Sequence, residues 1–129
     1  MKVTIKHIDS DVPEENYDFF NDFIKYLQKQ YPLKNDITIK FLGERVGSMT
    51  TGQRNQKNEL LVLSKGRMNR DILRTLAHEW VHEYQRTILK RHKGPDIGGK
   101  NEDEANSKSG EIMKQYEKAH PKDVNKMYE

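Results

Sequence analysis

Apolar residues recur along this chain with two different periods, and the switches between them mark out its elements. Residues 1–8 alternate, Val3 and Ile5 apolar against Thr4 and Lys6 polar, which is the pattern of a short strand. Pro13, Glu14 and Glu15 then suit the first turn of a helix. Proline loses nothing by lacking an N–H there, and carboxylates favour the positive end of the helix dipole. Tyr17, Phe20, Ile24, Leu27 and Tyr31 follow at helical spacing and make one apolar stripe, so this helix packs on something. Tyr31-Pro32 ends it, because the residue before a proline is pushed out of the helical region.

A period of two returns at residues 36–42, where Ile37, Ile39 and Phe41 share a face. Residues 46–52 are polar, glycine-flanked and threonine-bearing, as suits an edge strand. Residues 59–63 are almost continuously apolar, as expected of a strand covered on both faces, and residues 55–58 read as the turn before it. A long helix is predicted from an N-cap at Asn69 to about Arg91, with Leu73, Leu76, Ala77, Trp80, Tyr84 and Ile88 as its core stripe. Gly94-Pro95 breaks it, and the loop through Gly98-Gly99 is expected to be flexible. Asn101 can cap a last helix that carries Ala105, Ser109, Ile112, Met113 and Tyr116 on one face. The expectation is one domain over residues 1–129, with its core in about 1–118 and a polar tail, 119–129, that frays.

Composition narrows the chemistry. The chain has no cysteine, which rules out disulfides and thiolate metal sites and fits a reducing compartment. The first residues are too polar for a signal peptide and no run approaches a membrane span, so a cytoplasmic protein without membrane contact is expected. The net charge is +3, with basic residues gathered at Arg86, Lys90, Arg91, His92 and Lys93. A nucleic-acid protein would carry a stronger stripe interleaved with aromatics, so a lysine-rich solvated surface is the favoured account and a nucleic-acid partner is not.

The segment His78-Glu79-Trp80-Val81-His82 falls inside the predicted long helix. Its histidines are four residues apart, close to one helical turn, so both imidazoles leave one face and can grip one cation. Glu79 lies beside that cation without being forced onto it, where a carboxylate can take a proton from water. A catalytic zinc wants a third protein ligand. Candidates downstream are His92, Glu102, Asp103, Glu104 and His120. His92 is too far along the same helix to reach back, and a glutamate from the next helix is the better choice. Glu102 belongs to the first turn of that helix, with Ala105 and Asn106 on its face, although an acidic cluster there also reads simply as a favourable helix start. Asn106 can hydrogen-bond the far nitrogen of a histidine and orient its ring.

His78-Glu79-x-x-His82, followed about twenty residues later by Glu102-x-x-Ala105-Asn106, resembles the gluzincin peptidases, and the short single-domain form looks like the minigluzincins. It is also similar to ImmA/IrrE-like and SprT-like small peptidases, the SprT-like resemblance including residues 47–52 and 61–64 ahead of the motif. There are departures: Lys108-Ser109 stands where many ImmA/IrrE-like members have Phe-Ala, and Asn106 where many gluzincins have aspartate. The resemblance implies a zincin-like α+β fold with an N-terminal helix, a small, mostly antiparallel twisted sheet, an active-site helix and a C-terminal glutamate helix. It implies a zinc metallopeptidase with His78, His82 and Glu102 on Zn2+, Glu79 as general base, and an edge strand through Gly47, Ser48, Met49, Thr50 and Thr51 holding a peptide or protein substrate. Tyr84, His92, Tyr116 and His120 are candidates for the transition-state donor. The alternative is an inactive zinc-binding or nucleic-acid-associated interaction module on the same scaffold; neither reading fixes the oligomeric state.

Overall fold

Strand β1 (Val3–Ile8) and strand β2 (Ile37–Leu42) run parallel, because helix α1 (Tyr17–Gln30) lies between them and carries the chain back to its starting end. The coordinates are a computed structural model that describes residues 1–55, 57–91 and 99–129. Strand β3 (Gly52–Arg54) crosses to the far edge, and β4 (Glu59–Leu63) returns between β2 and β3. The sheet order is β1-β2-β4-β3, with β2 and β4 parallel and β3 and β4 antiparallel. Two of the three pairings are therefore parallel, and the expected mostly antiparallel sheet is corrected. Alternation has the same period in either kind of sheet; connection length decides, and a helical crossover forces the parallel pairing.

The edge-strand expectation also shifts. Gly47, Ser48, Met49, Thr50 and Thr51 precede the strand instead of forming it. Gly47 takes a left-handed φ of 59°, which turns the chain where a side chain would be strained. Met49 then drops onto Leu42, Leu61 and Leu63 as cover for the outer face of the sheet. The Thr51 carbonyl accepts from Leu63 N–H at 2.8 Å, which anchors the start of β3.

The inner face of the sheet is the main core. Ile37, Ile39, Phe41, Leu60 and Val62 meet Phe19, Phe20, Phe23, Ile24 and Leu27 of α1 there. Helix α2 (Asn69–Thr87) adds Leu73, Leu76, Ala77 and Trp80, all fully buried, and Trp80 Nε1 donates to the Tyr31 carbonyl at the end of α1 at 2.8 Å. Helix α3 (Lys100–Ala119) packs along α2 and contributes Ala105, Ile112, Met113 and Tyr116.

Boundaries moved where local geometry overrode the punctuation. Helix α2 stops at Thr87: Lys90 is left-handed at φ 58° and the Arg91 N–H folds onto the Gln85 carbonyl. The expectations for His92, Lys93, Gly94-Pro95 and Gly98 lie outside the described residues. Gly99, not Asn101, is the N-cap of α3, and Met68, not Asn69, that of α2. The tail does not fray. It forms helix α4 (Val124–Met127), buries Met127 in the core, and is held by Asn69, whose N–H and side-chain amide donate to the Glu129 and Lys126 carbonyls. Among the described residues no helix is long and apolar enough to cross a membrane.

Candidate metal centre

Helix α2 lies with one side on the core and the other forming the floor of a cleft of about 910 Å³. Edge strand β3 and the N-terminal turns of α3 make the walls. His78 and His82 project from α2 one turn apart, and Glu102 reaches over from the first turn of α3. His78 Nε2 lies 2.9 Å from Glu102 Oε1, His82 Nε2 lies 2.9 Å from Glu102 Oε2, and the two Nε2 atoms are 3.1 Å apart. Ligands held at about 2.0–2.1 Å in a tetrahedral shell are about 3.3 Å from one another, so this spacing is within a few tenths of an ångström of a zinc-sized cage. Asp103 and Glu104, weaker expectations, are not part of the group, and His120 lies at the opposite end of α3, stacked on Tyr116 at 4.1 Å.

Electrostatics gives this convergence its meaning. Gln85, buried one turn past His82, donates Nε2–H to the Asn101 carbonyl at 3.1 Å and to Glu104 Oε1 at 2.9 Å. With both amide hydrogens committed, its Oε1 faces His82 Nδ1 at 2.9 Å and accepts that proton. In the neutral form of His82, a proton on Nδ1 leaves the Nε2 lone pair pointing at His78 and Glu102. Three electron-pair donors converging on one point repel unless a cation lies among them. The group can hold a metal ion. Burial lowers the pKa of His78, favouring the neutral, ligating form, while the Glu102 carboxylate opposes the shift.

The ring-orienting contact expected from Asn106 is made to His82 by Gln85 instead. Asn106 sits exposed on the cleft rim, and among the described residues no hydrogen bond joins its side chain to either histidine. The sequence signal for Gln85 is its spacing, three residues after His82, which places it on the same helix face.

Glu79 is buried and lines the cleft beside the group. Among the described residues it makes no hydrogen bond, while the other buried polar side chains of α2 do: Thr75 with Arg67, Glu83 with two arginines, Gln85 as above and Thr87 with the Glu83 carbonyl. Burial pushes its carboxyl up to about 7, with Glu102 adding to the rise and His82 opposing it. Gly52 of β3 lies over Thr75 and this side chain with no room for a substituent: a Cβ there would lie 2.6 Å from Thr75 Cγ2 and 3.1 Å from Glu79 Oε2. Of the expected edge residues, Thr50 and Thr51 line the cleft together with Gly52, Gln53 and Arg54.

Of the transition-state donors expected from sequence, Tyr84, Tyr116 and His120 do not line the cleft. Tyr84 packs edge-on against Tyr31, Tyr116 is in the core, and His92 lies outside the described residues. The cationic donors lining it are instead arginines 54, 67, 74, 86 and 91. No protein-family model, curated protein or solved structure matches this chain.

Proposed function

We propose that this chain is a zinc-dependent peptidase in which His78, His82 and Glu102 hold the metal and Glu79 is the general base. The observation that supports it most is Glu79 itself, a buried carboxyl without a hydrogen bond among the described residues, lining the cleft beside two nitrogen ligands and one oxygen ligand. That donor set, with no thiolate in the chain, suits zinc in a catalytic rather than a structural role. When bound, zinc supplies a Lewis acid that polarises an amide carbonyl and acidifies water. Gln85 fixes the His82 tautomer, the missing side chain of Gly52 leaves room for Glu79 beneath the strand, and Glu79 accepts a proton from water and passes it to the leaving amine. Strand β3 ends the sheet, so its outer backbone edge is available for an extended peptide by strand addition.

The test pairs metal analysis with an unbiased peptide-cleavage assay. Wild type is expected to carry one zinc per chain and to cleave. Glu79→Gln keeps the zinc and loses about 10²–10⁴-fold in turnover, the usual contribution of a general base. Glu102→Ala loses the zinc. Undiminished cleavage by Glu79→Gln overturns the assignment of the base, and zinc binding without any cleavage by wild type leaves an interaction module as the reading.

A further inference from the structure

The peptidase reading leaves one built feature of the cleft unused. Glu83, next to His82, has a side chain only 2% exposed and holds two guanidinium groups at once. Arg54 Nε donates to its Oε1 at 2.7 Å, and Arg86 Nε donates to the same oxygen at 3.0 Å, with Arg86 Nη2 in ion-pair range of it at 2.9 Å. Arg86 Nη2 also reaches Glu83 Oε2 and Asn58 Oδ1, at 3.3 and 3.4 Å. One carboxylate against two guanidiniums leaves a surplus positive charge in the cleft wall. Both terminal nitrogens of Arg54 and Nη1 of Arg86 have no hydrogen-bond acceptor among the described residues.

Other arginines of the cleft differ from this pair. Arg67 is used up on the Leu63 and Asp71 carbonyls and Thr75, and Arg91 pairs with Glu104 at the rim. Arg74 is exposed and nothing hydrogen-bonded fixes its head group among the described residues. Among the described residues of the cleft, Arg54 and Arg86 are the arginines held by a buried carboxylate that still present unused donors. A guanidinium fork fixed in this way is matched to a carboxylate.

Position gives the fork its meaning. Arg54 is two residues along β3 from Gly52, about 7 Å at strand rise. Arg86 is four residues along α2 from His82, about 6 Å at helical rise. Both steps converge on Glu83, so the pair sits to one side of the metal group. An extended peptide on the β3 edge repeats its side-chain direction every two residues. A side chain two residues from the bond that faces Glu79 then meets the fork.

We propose that Arg54 and Arg86, clamped on Glu83, form a carboxylate-binding subsite that selects substrates carrying a carboxylate two residues from the cleaved bond. This rests on the reading of the cleft as a peptidase site. The carboxylate comes either from an Asp or Glu side chain or from the free C-terminus of the substrate.

The experiment uses acetylated, amidated peptides of otherwise neutral sequence with one Glu moved through each position, their Gln counterparts, and a neutral set with a free C-terminus. The first readout is the Glu-to-Gln ratio of kcat/KM for the zinc-loaded wild type, Arg54→Gln and Arg54→Lys. The second is the side-chain Nε–H resonances of Arg54 and Arg86 in zinc-loaded Glu79→Gln during titration with the same peptides. The expected ratio is about tenfold to a hundredfold at one position, two residues from the cleaved bond, falling towards one in both Arg54 variants. A matching gain from the free C-terminus assigns the chain terminus as the source; a gain confined to internal Glu assigns the side chain. Arg54→Lys keeps a charge on Glu83 and serves if Arg54→Gln fails to fold. A ratio near one at every position, or one that survives Arg54→Gln and Arg54→Lys, overturns the subsite. If wild type cleaves nothing, the peptidase reading falls, and the titration still decides: Nε shifts with Glu but not Gln peptides support the subsite, and no shift overturns it.

Discussion

The two sides of α2 are built on opposite rules. The core side carries Leu73, Leu76, Ala77 and Trp80, all completely buried and all satisfied by packing. The cleft side carries Thr75, Glu79, Glu83 and Gln85, nearly as buried yet polar. Burying a polar group is unfavourable unless a partner replaces water, so each of these needs a specific neighbour. Arg67, Arg54 with Arg86, and the Asn101–Glu104 turn supply partners for three of them. Among the described residues Glu79 is left without one. The difference separates what holds the fold from what the fold is arranged to present: packing tolerates any well-fitting apolar residue, whereas the cleft side specifies particular atoms.

Substitutions on the two sides should therefore fail differently, and the core side should show the largest loss. Trp80→Ala removes a fully buried indole and its bond to the Tyr31 carbonyl, and should destabilise by about 3–5 kcal/mol in urea denaturation. Zinc binding by the fraction that remains folded should be unchanged; a loss below 1 kcal/mol, or a folded variant without zinc, would merge the two sides into one. Gln85→Met keeps the size of the side chain but strips the acceptor from His82 Nδ1. Zinc affinity should fall about 10–100-fold, the usual effect of losing a ligand's orienting partner, with a much smaller change in urea midpoint than for Trp80→Ala. An unaltered dissociation constant for zinc would show that Gln85 merely joins α2 to α3.

The smallest expected effect lies away from α2 and serves as its reference. His7 is stacked between Tyr17 and Phe41, and burial lowers its pKa below 6.5. The folded protein thus binds the proton less readily than the unfolded chain. Its contribution is complete above pH 6.5 and is lost as pH falls through the lowered value. His7→Phe should flatten the decline in urea midpoint on the acid side of pH 6.5, and an identical decline in both proteins would remove His7 as its source.

Much of this arrangement was legible in the chain. The apolar stripes on α1 and α2, the alternation of Ile37, Ile39 and Phe41, and the placement of His78 and His82 on one helix face all follow from period alone, and Glu102 does fall in the first turn of α3. What periodicity carries is direction; what it lacks is partnership. The parallel pairing of β1 and β2 depends on a crossover rather than on side-chain pattern. Gln85, Glu83 and Arg54 look like ordinary surface residues until β3 and α3 close over them. Met127 in a polar tail gives no periodic signal, and its burial follows from the backbone bonds that Asn69 makes.

Gly52 ties these themes to a matter of clearance. Its backbone is so close to Thr75 and Glu79 that a hydrogen atom is the only substituent with room. The strand edge and the carboxyl beneath it are in effect two parts of one gauge, set at a fixed gap. Even the smallest side chain at position 52 must push aside the Thr75 methyl and crowd the Glu79 side chain. Side chains that can vary in size without entering that gap are those around it, Thr50, Thr51 and Arg54, which line the same cleft.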